Sequence, residues 1–129
     1  MVPKFRAWDI KYKMMMRVNQ IDFEKKTVWL EADNGDHENR HTLTREFKDV
    51  ILLQSTGLKD KNSVEIYCGD VVEWLEHRGV VEFVLNNQQT MIIGASGYIT
   101  DLDYSTDFNT EVIGNIHENP KILGQANEI

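Results

Sequence analysis

A chain of 129 residues and 15.0 kDa is long enough to bury roughly two-thirds of its unfolded surface, as one domain or as two small lobes. Its 41% hydrophobic and 27% charged residues are those of an ordinary soluble protein, and no apolar run approaches the ~20 residues that span a bilayer. The net charge of −7 is split unevenly, with 12 Lys+Arg and 10 Asp+Glu in residues 1–62 but only 2 and 11 in residues 63–129. The anionic second half repels a phosphate backbone. The mildly basic first half is suited to dock against it, within one chain or between chains, although acidic side chains that simply solvate an outer face are the plainer reading. The N-terminus runs straight into charged residues without a secretory apolar region, and Cys68 is the single cysteine. Both features lead to the expectation of a cytoplasmic protein with no membrane partner.

In chain order, Lys4-Phe5-Arg6-Ala7-Trp8-Asp9 alternates as a half-buried strand, with Phe5 and Ala7 on one side and Lys4, Arg6 and Trp8 on the other. Met14-Met15-Met16 reads as adaptable core filler. Ile21-Asp22-Phe23, a Glu24-Lys25-Lys26 turn and Thr27 to Ala32 form a hairpin rich in β-branched and aromatic residues. Asp33-Asn34-Gly35-Asp36 carries a second hairpin signal, because Asn and Gly accept the positive φ of a type I′ turn. The polar return, His37 to Thr44, is expected to be an edge strand or a loop. One or two helical turns from Arg45 then feed Val50-Ile51-Leu52-Leu53, a run that suits a strand buried on both faces.

Gln54 to Trp74 combines a polar turn, a short apolar patch and Gly69, and reads as the joint between two halves; Gly57 and Gly69 serve its backbone geometry while Leu58 and Ile66 pack the two parts together. Asp70 to Glu76 and Gly79 to Leu85 form a hairpin around His77-Arg78, and Asn86 to Gln89 turns the chain into a strand at Thr90 to Gly94. Ala95 to Asn109 reads as a long acidic loop with a strand fragment at Tyr98-Ile99. A last strand, Glu111 to Ile116, is stopped by Glu118-Asn119-Pro120, where Pro120 opens a helical turn. Short strands at close spacing predict a mainly β protein with at most short helical turns: an N-terminal β-hairpin region over 1–58, a small closed barrel over 59–123 and a tail at 124–129.

Three stretches resemble a known family: Lys4 to Asp9; Thr56 to Asn62 with Glu65-Ile66-Tyr67 and Gly69-Asp70-Val71-Val72; and Val112 to Pro120. Together they are similar to the YopX family of phage and prophage proteins, over nearly the whole chain. The resemblance implies a mainly β protein whose second part is similar to an SH3-type barrel, encoded by a bacteriophage or prophage. It implies no reaction and no catalytic residues. The chain departs from the family at Ser63, where glycine is usual, so that the turn is expected to rely on Asn62 for any left-handed conformation. It departs again at Cys68, where an acidic residue is common.

Asp101, Asp103 and Asp107 suit a hard cation, but the glycine and glutamate of an EF-hand loop are missing, and a solvated acidic loop is the simpler reading. His37-Glu38-Asn39-Arg40-His41 matches the zinc-protease pattern literally, yet no apolar residue anchors it as the helix that this chemistry needs. His77 and His117 stand far from it in sequence. Cys68 has neutral or anionic neighbours that disfavour a thiolate, Gly94-Ala95-Ser96-Gly97 lacks the lysine of a phosphate loop, and Glu65, Glu73 and Glu82 mark a solvent face. A nucleic-acid surface would combine Lys4, Arg6, Lys11, Lys13 and Arg17 with Trp74, Phe83, Tyr98 and Tyr104, but Arg78 is the only cation between Lys61 and Lys121. No catalytic, cofactor-binding or metal-binding residue is therefore assigned. The expectation is a non-catalytic homo-oligomeric module that binds a phage or host protein, with nucleic-acid binding as the alternative and a metal-dependent hydrolase using His37, Glu38 and His41 as the outlier.

Overall fold

The computed structural model describes residues 4–32, 42–86 and 88–122. Among them are eleven strands: β1 (Phe5–Asp9), β2 (Met14–Asp22), β3 (Thr27–Ala32), β4 (Thr42–Glu46), β5 (Val50–Lys59), β6 (Glu65–Tyr67), β7 (Asp70–Trp74), β8 (His77–Val84), β9 (Gln89–Gly94), β10 (Gly97–Asp101) and β11 (Thr110–Asn115). Two 3-10 turns, Phe47–Asp49 and Asp107–Asn109, are the other regular elements. The fold is mainly β, and the chain divides into two compact units, Met1–Gln54 and Ser55–Ile129. The Asp33 to Asp36 turn, the His37 to His41 motif and the tail at 124–129 lie outside the described residues.

In the first unit the antiparallel strand order is β4-β3-β2-β1-β5. Alternation along β1 sends Ala7 and Asp9 inward, both fully buried, and leaves Arg6 and Trp8 on the opposite face, where Trp8 is in register with Met15 and Ile51. The core joins Ala7, Met16, Val28, Leu30, Ala32 and Val50. Of the three methionines only Met16 enters it: Met15 faces the other side of the sheet, because consecutive residues of a strand point opposite ways, and Met14, the first residue of β2, is left exposed. The expectation of a strand buried on both faces at Val50 to Leu53 is corrected as well: Val50 and Leu53 are buried but Ile51 is exposed.

Asp9 closes the β1–β2 turn. Its Oδ1 accepts from the backbone N–H groups of Lys11 and Tyr12 at 2.9 and 3.1 Å, and its Oδ2 accepts from Arg45 Nε of β4 at 2.9 Å. That hydrogen bond holds the Arg45 guanidinium above its ordinary pKa, and the same group lies 4.8 Å from the centre of the Tyr12 ring.

In the second unit β5 ends against β6, and five further strands are ordered β10-β9-β8-β7-β11. This order is open: β10 and β11 stand at its two ends and share no register, so the strands do not close into a ring. Leu58, Ile66, Val72, Val81, Ile92 and Leu102 form its core. Leu58 and Ile66 thus pack within this unit. Gly57 and Gly69 have φ of 80° and 92°, as backbone geometry requires. A Cβ on Gly79 would meet Ile92 Cγ2 at 2.7 Å and the Ile93 carbonyl oxygen at 2.9 Å.

Two local expectations are corrected. The β7–β8 turn is Leu75-Glu76, with Leu75 at φ 55° and Trp74 paired with His77, two residues before the predicted turn. The predicted acidic loop begins with a full strand, β10, paired with β9.

Asp60 holds this unit together. It is 6% exposed, and its Oδ1 accepts from the N–H groups of Asn62 and Val64 at 2.8 and 2.9 Å while its Oδ2 accepts from Val112 of β11 at 2.8 Å. Within this turn the left-handed residue is Ser63 itself, at φ 65°, and not Asn62. Two consequences are measurable by denaturant titration. Asp60→Ala leaves three backbone donors without their acceptor and lowers stability by about 3 kcal/mol or more. Ser63→Gly relieves the left-handed strain, and after the added chain entropy raises stability by about 0.5–1 kcal/mol. An unchanged midpoint in either variant would contradict the corresponding role.

Candidate functional site

The acidic segment after β10 is built by its own hydrogen bonds. Asp103 Oδ1 accepts from Ser105 N at 2.8 Å and from Ser105 Oγ, which holds its carboxyl below the usual carboxylate range. Tyr98 Oη donates to Asp101 Oδ1 at 3.2 Å, and the Asp107 N–H donates to the Asp103 carbonyl at 3.0 Å. The Asp103 carboxylate is thereby a turn former, and among the described residues no group of three His, Cys, Asp or Glu is placed to hold a metal ion.

Cys68 precedes Gly69, whose N–H donates to the Val81 carbonyl at 2.8 Å. Burial pushes the thiol pKa up, and Asp70 and Glu82 add to the rise, so the protonated form dominates at neutral pH. Asp70 is buried and accepts from Tyr67 N at 2.8 Å. Asn115, its register partner on β11, accepts from His117 and Glu118 N–H groups at 3.0 and 2.8 Å. The polar residues of the family-like stretches therefore act on backbone.

The proposed basic set is spread over the first unit. Lys4, Lys11, Lys13 and Arg17 are exposed and Arg6 is half-buried. Arg6 and Arg17 are cross-strand neighbours, and Arg17 makes an ion pair with Glu31 at 3.5 Å. The aromatic set belongs to the second unit, where Phe83, Tyr98 and Tyr104 are exposed and Trp74 packs against the core. Of the carboxylates expected on a solvent face, Glu82 is exposed, whereas Glu65 and Glu73 are half-buried.

A cleft of about 530 Å³ lies between the β7–β8 and β9–β10 turns, lined by Glu73, Leu75, His77, Arg78, Gly97 and Tyr98 among others. Arg78 Nη2 donates to Glu73 Oε1 at 2.6 Å, and Nη1 reaches the Ile122 carbonyl at 3.4 Å. The His77 ring stacks on Trp74 with centroids 6.0 Å apart and an interplanar angle of 20°. Arg78 is thus compensated by its own carboxylate, and the rim offers exposed Leu75 and Tyr98. The isolation of Arg78 in an acidic half was the one sequence signal for this place.

Among the described residues no helix is long and apolar enough to cross a membrane. A comparison with curated proteins finds no match. Among solved structures the chain is similar to protein EF1440 from Enterococcus faecalis, with 26% identity and a TM-score of 0.56 over 95% of this chain and 99% of that one. The family model described as YopX protein matches residues 4–124, which contain all three stretches singled out above. The chain belongs to the YopX family.

Proposed function

We propose that this protein is a non-catalytic interaction module, encoded by a phage or prophage and acting in the cytoplasm of the bacterial host, that binds copies of itself and a phage or host protein. The observation that carries this reading is the set of large apolar side chains left at the surface of the second unit: Leu75, Phe83, Leu85, Tyr98 and Phe108 are all more than half exposed. Phe83 and Leu85, two residues apart at the end of β8, are the pair best placed to serve as a contact surface. The edge strand β10 supports it, since it is hydrogen-bonded within the sheet on one side only and an open edge invites pairing, whereas the outer edge of β11 is met by Asp60 and Lys61. The buried acids Asp9 and Asp60, which would be the natural suspects for catalysis, are already engaged by backbone donors. Nucleic acid is the less favoured partner, because Arg17 and Arg45 are committed to Glu31 and Asp9.

Light scattering on a size-exclusion column tests the self-association. The expected mass is a multiple of 15.0 kDa, and Phe83→Asp together with Leu85→Lys weakens association about tenfold or more. If opposite charges of the two halves contribute, added salt also lowers the mass. A monomer at every concentration and ionic strength would overturn the oligomer.

A further inference from the structure

Trp29 occupies an unusual place in the first unit. On β3 it alternates with the buried Val28 and Leu30, so its indole stands on the outer face of the sheet, 45% exposed. Register places Gln20 of β2 on one side of it and Thr44 of β4 on the other. With Thr27, Asp22 and Lys25 these residues line a cleft of about 480 Å³. Asp22 Oδ1 accepts from the N–H groups of Glu24 and Lys25, both at 3.0 Å, which fixes the turn.

We propose that this cleft binds a neutral sugar ring of an oligosaccharide. A flat indole presents an apolar face of the size of a pyranose, and a sugar presents a matching face of C–H groups. The hydroxyls around the ring edge need donors and acceptors together, which an amide, two hydroxyls, a carboxylate and an ammonium supply among the residues that line the cleft with Trp29. One carboxylate against one ammonium leaves no positive groove, so a phosphate backbone finds no steering charge here. A protein partner would favour a central apolar pocket that excludes water, whereas every neighbour of Trp29 in this cleft is polar. The site is independent of the apolar surface on the second unit.

Calorimetric titration of the full chain with chitohexaose, cellohexaose and maltohexaose, and separately with oligothymidylate, tests the assignment. At least one hexaose is expected to bind at millimolar concentration or below. Trp29→Ala should weaken that binding about tenfold or more, by loss of the stacking face, and Gln20→Ala should weaken it as well, with circular dichroism unchanged. If Trp29→Ala does not fold, Gln20→Ala, an exposed position, carries the comparison. Failure of all three hexaoses to bind, hexaose binding untouched by the folded variants, or binding of oligothymidylate that depends on Trp29 would each overturn the sugar site.

Discussion

The second unit depends on one carboxylate. Asp60 takes backbone hydrogen bonds from its own turn and from β11, 52 residues further on. A buried carboxylate is costly unless its lone pairs are met, and here three N–H groups meet them. The Lys61 N–H donating to the Thr110 carbonyl at 2.9 Å runs beside that contact, so the turn and the last strand are joined by both side chain and main chain.

Asp9, Asp70 and Asn115 repeat the device. Each is buried, and each directs side-chain oxygen to the backbone of a nearby turn. Short polar side chains mimic a backbone acceptor at a defined offset, so Asp60, Asp70 and Asn115, which lie in the family-like stretches, fix turn geometry.

The legible part of the fold was the part governed by local pattern. Alternation located β1, β-branched and aromatic composition located β3, the polar Glu24-Lys25-Lys26 stretch located the first turn, and Phe47–Asp49 is the short helical turn expected before β5. The Leu75-Glu76 turn was hidden because neither residue is a turn former and Leu75 continues the apolar alternation. β10 was hidden because Gly97 and the aspartates around it have loop composition, yet pairing with β9 overrides that preference. Ser63 shows a third limit: the left-handed conformation falls on Ser63 and not on Asn62, the residue better able to adopt it. The two clefts depend on which side chains register brings together across strands, and no linear spacing reveals that.

The pairing of β11 with β7 bears on how the chain folds as it leaves the ribosome. β7 finds β8 almost at once, across a two-residue turn, but its other edge and the Asp60 carboxylate wait until the segment around Val112 has been synthesised. During that interval the nascent unit carries an unsealed strand edge and an acid without its third donor. Completion of the second unit is therefore a late, non-local step, and its speed is set by loop closure more than by local propensity.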